Sequence, residues 1–192
     1  RSDFGGGNRT SGGSNDIFVA KYNSVGVHQW SVTYGGSGTD AGSAVDVDNS
    51  GNVYSTGFFT GTVTFGGDLF LGQGGNDIVV QKHSSAGSLL WTQMAGGPSN
   101  DTGSAIAVDA SGNAIVAGGF GGTTTWGVAL SSNGGTDVLL AKYNTSGTLQ
   151  WASGYGSVNG DQGYGVAVDA AGDIVMTGYF QGSADFGGGA LS

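Results

Sequence analysis

The chain is written three times, and that repetition limits its possible folds more than any other feature. DIFVAKYN at 16–23 returns as DIVVQKHS at 77–84 and as DVLLAKYN at 137–144, at spacings of 61 and 60 residues. The same offsets relate GSAVDVDNSGNVYSTGFF (42–59), GSAIAVDASGNAIVAGGF (103–120) and GYGVAVDAAGDIVMTGYF (163–180). Whole supersecondary units have therefore been copied, and a repeat architecture is the first reading.

Each copy divides into four strand-like pieces separated by turn residues. Residues 42–48 form piece A, Asn49-Ser50-Gly51 turns the chain, and residues 52–59 form piece B. A longer Gly-rich loop leads to piece C at 77–83. After the turn Ser84-Ser85-Ala86-Gly87, piece D runs from 88 to 95 around Trp91. Piece A alternates large with small: Val45 and Val47, Ile106 and Val108, Val166 and Val168 share one face, and Ala44, Ala105, Ala107, Gly165 and Ala167 the other. Piece C is apolar on both faces, as in Ile17-Phe18-Val19-Ala20, Ile78-Val79-Val80 and Val138-Leu139-Leu140-Ala141. A strand of that kind needs a cover on either side. Piece D sets Trp30, Trp91 and Trp151 among Gln, Ser and Thr, which suits a strand near the rim. A four-stranded sheet packed between two like sheets is a propeller blade.

Composition agrees with an all-β chain. Apolar residues make up 38% of 192, enough for a core, so the 42 glycines read as turn punctuation rather than as a disordered tract. All 14 acids are Asp, and strong helix formers are scarce. A net charge of −9 argues against nucleic acid and anionic membrane as partners. No apolar run reaches membrane-spanning length, so membrane insertion is not expected. Without cysteine there is neither a disulfide nor a thiolate metal site. The start at Arg1-Ser2, inside a repeat, reads as an excised or mature fragment.

Two strings resemble a known family. The D-I-F-V-A-K-Y-N-x-x-G-x-x-x-W run from Asp16 to Trp30 and the V-D-x-x-G-N-V-Y-x-T-G run from Val47 to Gly57 are similar to the SBBP-type β-propeller repeat of bacterial surface and secreted proteins. The F-G-G at Phe4, Phe65 and Phe186, with Trp126 in the remaining copy, adds to the likeness. The resemblance implies a propeller fold and a secreted or cell-surface bacterial setting, and no catalytic or ligand motif.

The chain is expected to be one repeat domain over 1–192. Pieces C and D of a split blade lie at 16–34, full blades at about 42–95 and 103–155, and pieces A and B of another split blade at 163–180. FGGGALS at 186–192 corresponds to FGGGNRT at 4–10, so three periods are present with displaced seams. Three blades leave an arc with two bare apolar flanks, because closed propellers usually hold four to eight. Covering several hundred Å2 per flank is worth about 10 kcal/mol at about 25 cal/mol/Å2. The expected partner is the chain itself, with pieces C and D of one copy completing A and B of the next. Two copies make a six-bladed homodimer; a nine-bladed trimer and a β-trefoil-like monomer are the alternatives.

Nine of the aspartates fall at three recurring places. Asp16, Asp77 and Asp137, and Asp48, Asp109 and Asp169, read as framework, the second set opening Asp-x-x-Gly hairpins. Trp30, Trp91 and Trp151 are framework too, and Lys21, Lys82 and Lys142 are candidate partners of these carboxylates. Asp40, Asp101 and Asp161 precede piece A, the strand placed nearest the axis, and so are candidate ligand residues at a channel mouth for a cation or polyhydroxyl compound. Asp46, Asp48 and Ser50 copy the opening of a calcium loop, without the closing Glu. No cofactor is expected beyond calcium at such a loop. His28 and His83 stand at inequivalent positions, and no nucleophile or phosphate-loop motif is present, so an enzyme is not expected. The functions expected are an oligomerising scaffold or a binding and adhesion module with variable loops at 35–39, 96–100 and 156–160. A calcium- or carbohydrate-binding lectin-like propeller is the alternative, and a glycoside-acting enzyme the remote one.

Overall fold

The computed structural model describes residues 2–192, and among them there are strands and no helices. Strands β1 (Ser2–Asp3) and β2 (Asn8–Arg9) form a small hairpin, and β3 (Ile17–Tyr22) and β4 (His28–Tyr34) a two-stranded sheet. The first four-stranded antiparallel sheet is β5 (Ala41–Val47), β6 (Val53–Phe65), β7 (Asp68–His83) and β8 (Leu89–Ala95), paired in chain order. The second is β9 (Thr102–Val108), β10 (Ala114–Thr125), β11 (Ala129–Tyr143) and β12 (Leu149–Tyr155). The sheet of β13 (Gln162–Val168) and β14 (Ile174–Tyr179) follows, then the hairpin of β15 (Ala184–Asp185) and β16 (Ala190–Leu191).

The sheets stack face to face, and the third-strand sequence dictates this. Ile78 and Val80 point to the following sheet, where with Tyr54 they meet Ile106, Val116, Leu139 and Tyr143. Val79, on the opposite face of the same strand, joins Ile17, Phe59, Val63 and Phe65 beneath the preceding sheet. Leu140 packs with Ile115 and Ala117 on Val166, Ile174 and Met176. Each large side chain so buried contributes about 1.5–3 kcal/mol.

Between pieces B and C the sequence suggested an irregular loop, and the structure differs. Beyond a bulge at Thr60/Thr62, the ladder resumes as Thr62–Phe65 against Asp68–Leu71. Thr62, Val63, Thr64 and Phe65 are β-branched or aromatic, so the two strands run on to a tight Gly66-Gly67 turn. β10 and β11 repeat this with Thr123–Thr125 against Ala129–Ser131.

The sheets β3–β4 and β13–β14 stay two-stranded and do not pair with each other, so the chain is an open arc. A closed β-trefoil-like monomer does not form. The two end faces are apolar and largely exposed: Phe18 is 53% and Val45 63% exposed on one flank, Val175 63% on the other. Their counterparts inside the arc, Leu139, Ile106 and Ile115, are buried.

The β5–β6, β9–β10 and β13–β14 pairs each carry a bulge that brings a second-strand glycine onto a first-strand carbonyl. A Cβ on Gly57, Gly118 or Gly178 would strike the carbonyl oxygen of Ala41, Thr102 or Gln162. Gly118→Ala is therefore expected to destabilise the protein by about 1–3 kcal/mol, read as a lower urea midpoint at unchanged slope.

Candidate functional site

The recurring aspartates have three distinct surroundings. Those opening the A–B turns fold their carboxylates back onto the turn: Asp48 Oδ1 accepts from the amides of Ser50 and Asn52, both at 2.9 Å. Asp109 does the same with Ser111 and Asn113, and Asp169 with Ala171 and Asp173. The second oxygen faces a lysine of the third strand, at 3.8 Å for Asp48 and Lys82 and 2.9 Å for Asp109 and Lys142. Burial works against the charge of Asp109, but the Lys142 and Asn113 bonds outweigh it and hold this carboxyl down at about 2. Asp48 is lowered by the same balance, with Asn52, Ser50 and Lys82 overcoming burial.

Asp40, Asp101 and Asp161 do not stand around a channel mouth; all three are fully buried. Asp40 accepts from Gly36 N at 2.8 Å and Thr60 N at 3.0 Å. Asp101 accepts from Gly97 N at 2.8 Å and Gly121 N at 3.0 Å, and Asp161 from Ser157 N at 2.6 Å and Gln181 N at 2.8 Å. Each carboxylate thus clamps the loop after a fourth strand to the far end of the next sheet's second strand. Burial pushes Asp101 up to about 6 against its two amide bonds, with the charge of Asp77 adding to the rise.

Asp16, Asp77 and Asp137 complete the set. Their Oδ2 atoms accept from Gly12, Gln73 and Asn133 at 2.9, 2.9 and 3.0 Å. Their Oδ1 atoms have no hydrogen-bond partner and lie against the backbone of Gly35, Gly96 and Gly156, where a side chain has no room. Burial raises Asp77 and Asp137.

The calcium-loop candidate does not gather its oxygens. Asp46 spans to the next sheet, accepting from Val108 N at 2.7 Å, while Asp48 is spent on its own turn. Among the described residues, no group of three or more His or Asp side chains is placed to hold a metal ion. His83 lies in the core with Nε2 at 2.9 Å from the Tyr34 hydroxyl, and burial lowers it to about 4, so it is neutral at pH 7.

Sequence reasoning missed what the tryptophans do. Trp30 lies over Gly87 in the C–D turn of the following sheet, so a Cβ there would meet the ring at 2.7 Å, and its Nε1 donates to Ser85 O at 3.0 Å. Trp91 lies over Gly147 in the same way and donates to Thr145 O at 3.1 Å. Lys21 and Lys82 donate to the same two carbonyls. The signal was available in the register of Trp and turn glycine one period apart. Among the described residues no C–D turn lies against Trp151, which is 37% exposed. A concavity of about 730 Å3 runs along the free edge of β3 and is lined by Ile17, Phe18, Ala20, Ala41 and Val45.

No family model matches the chain. A curated relative, an uncharacterized WD repeat-containing protein L264 of Acanthamoeba polyphaga mimivirus, is 26% identical over 201 positions. The alignment covers 90% of this chain and 14% of that protein, so the chain spans about a seventh of the relative's length. Together with stacked four-stranded antiparallel sheets, this likeness is that of a β-propeller repeat protein in the general sense.

The carboxylates predict an uncommon pH dependence. Asp101, and with it Asp77 and Asp137, keeps its proton in the folded state above the pH at which the unfolded chain loses it, so between about pH 4 and 6 stability falls as pH rises. Asp109 and Asp48 act in the opposite sense, and their contribution is lost as pH drops from about 4 toward 2. Urea unfolding across pH 2.5–7.5 should show greatest stability near pH 4. Asp101→Asn should flatten the limb above the maximum and leave the acid limb intact.

Proposed function

We propose that the chain is a non-catalytic β-propeller segment of the SBBP type that holds binding loops on a rigid frame, in a secreted or surface protein of a bacterium. The observation that carries this reading is the clamped, varying rim. The loops at 35–39, 96–100 and 156–160 occupy one position in three successive repeats, and each is fastened at its base by a buried aspartate. Their sequences nonetheless diverge as GGSGT, GGPSN and GSVNG, and Pro98, Ser99, Asn100 and Val158 stand exposed. A fixed base with changing tips is how scaffolds present contacts.

The repeated polar groups support the non-catalytic part. Both oxygens of Asp40, Asp101 and Asp161 are taken by backbone amides, and the A–B turn aspartates are held by their own turns and, in two of the three repeats, by a lysine. Resemblance to the SBBP repeat supports the bacterial, secreted setting, and the WD repeat-containing relative supports a propeller used as an interaction surface.

A glycan array probed with the labelled chain tests the reading. Retention of a small set of related glycans is expected, and replacing the exposed Pro98 and Ser99 by Gly-Ser, with the buried Gly96 and Gly97 and the bonded Asn100 kept, should lower it about tenfold. The same replacement should leave stability within about 0.5 kcal/mol, since the exposed tips carry no core contact. A blank array, or retention indifferent to all three loops, overturns the proposal.

A further inference from the structure

We infer that a second copy of this chain docks head to tail on the open flanks, through a seam whose contacts are those of the internal junctions. The inference rests on the propeller reading above and names the partner of its flanks. One copy offers β13–β14, Trp151 and the turn at Asp169; the next offers β3–β4 and the turn at residues 23–26.

Register follows from the two complete sheets. Tyr54 pairs with Lys82 and Ile115 with Lys142 where the second strand meets the third. Carried forward by one period, Val175 of one copy lies opposite Lys21 of the next, and β14 fills the groove along the free edge of β3. Val45 and Val47 then face Val175 as Val166 and Val168 face Ile115, which covers the exposed valines of both flanks at once.

Charge agrees with that pairing. Lys82 and Lys142 face Asp48 and Asp109 of their own sheets, but Lys21 has no carboxylate partner among the described residues. The matching turn is Asp169–Asp173 at the other end of the chain. Asp173 stands where the other copies carry Asn52 and Asn113, so two carboxylates there await a cation. The open flanks thus carry Lys21 on one side and Asp169 with Asp173 on the other.

The tryptophan lock is the most specific element. Trp30 and Trp91 each lie over a turn glycine and donate to its neighbour's carbonyl, while Trp151 is uncovered. Among the described residues, the C–D turn at 23–26 is the one without a tryptophan above it, and a Cβ on Gly26 would meet nothing within 4 Å. That turn is already built like the occupied ones: Gly26 N donates to Asn23 O at 3.0 Å, as Gly147 N does to Asn144 O. In the seam Trp151 of one copy stacks on Gly26 of the next and donates to Ser24 O.

One local rearrangement is required. Phe186 packs on Tyr155 and Phe180 as Phe65 packs on Tyr34 and Phe59. Phe4, its equivalent at the other end, instead stacks on Phe18 with centroids 4.5 Å apart, covering part of the accepting face. Both hairpins cannot occupy one place, so the β1–β2 hairpin lifts away when β15–β16 arrives.

Sedimentation over a concentration series, with disulfide trapping, tests the seam. The expected mass is twice 18.9 kDa. Trp151→Ala should weaken association at least tenfold without moving the monomer's urea midpoint, and Phe4→Ala should strengthen it by freeing Phe18. The chain has no cysteine, so copies carrying Val175→Cys and Lys21→Cys should form a disulfide when mixed and far less when either is alone, because residues opposite each other in a ladder lie within disulfide reach. A monomer at all concentrations, or an oligomer indifferent to Trp151→Ala and untrapped by the mixed cysteines, overturns the inference. Glycan retention is scored separately, so a monomer that still retains its ligand removes the seam and leaves the binding-module reading in place.

Discussion

A strand that is apolar on both faces has to be sandwiched, and the third strand of each repeat is such a strand. Ile78 and Val80 look one way and Val79 the other, so no arrangement that leaves one side of this sheet in water can be stable. Stacking of successive sheets follows from that requirement. The hairpin turns, clamped loops and bulges then determine only how each sheet is tied to its neighbour. The requirement does not stop at the ends of the chain, where Phe18 stays about half-exposed beneath Phe4 and Val175 is exposed on the opposite flank.

Much of this frame was legible in the residues. Alternation in the first strand, double-sided greasiness in the third and Asp-x-x-Gly turns between them were enough for four-stranded antiparallel sheets, and the lysine–aspartate pairs followed from repetition of both. The extension of the second and third strands past the bulge was not legible, because Gly66-Gly67 reads equally well as loop or as tight turn. The polar sites were read least well. Asp40, Asp101 and Asp161 were placed at a channel mouth because they precede the innermost strand, but position along the chain carries no information about where a carboxylate points. Two backbone amides in the right place turn it inward, and those amides belong to residues 4 positions before and 20 after it.

The buried aspartates also explain why a chain with so little charge of either sign spends its acids on the framework. Loops rich in Gly, Ser and Thr have few apolar contacts to fix them. A carboxylate accepting two amide bonds supplies direction that packing cannot, and charge-assisted bonds of this kind are about twice as strong as neutral ones. The cost is desolvation, visible in the upward shift of Asp101. Structure and surface are thereby separated, since the clamp fixes the base of the loop and leaves its tip free to vary.

Successive sheets meet most closely at their first strands, and side-chain size sets how closely. First strands approach closely across Ala44 and Ala105, small residues that pack against the cores containing Ile106 and Val166. At the fourth strand an indole is the side chain large enough to span the gap and polar enough at one edge to bond the turn beyond. That accounts for a tryptophan on every fourth strand, always one sheet behind the turn it touches. Because both contacts are specified by residues in every copy, any further sheet added to the arc must meet it in the same way. A partner that leaves Trp151 uncovered would satisfy the first-strand contact only, and the rotation between sheets would then be undetermined.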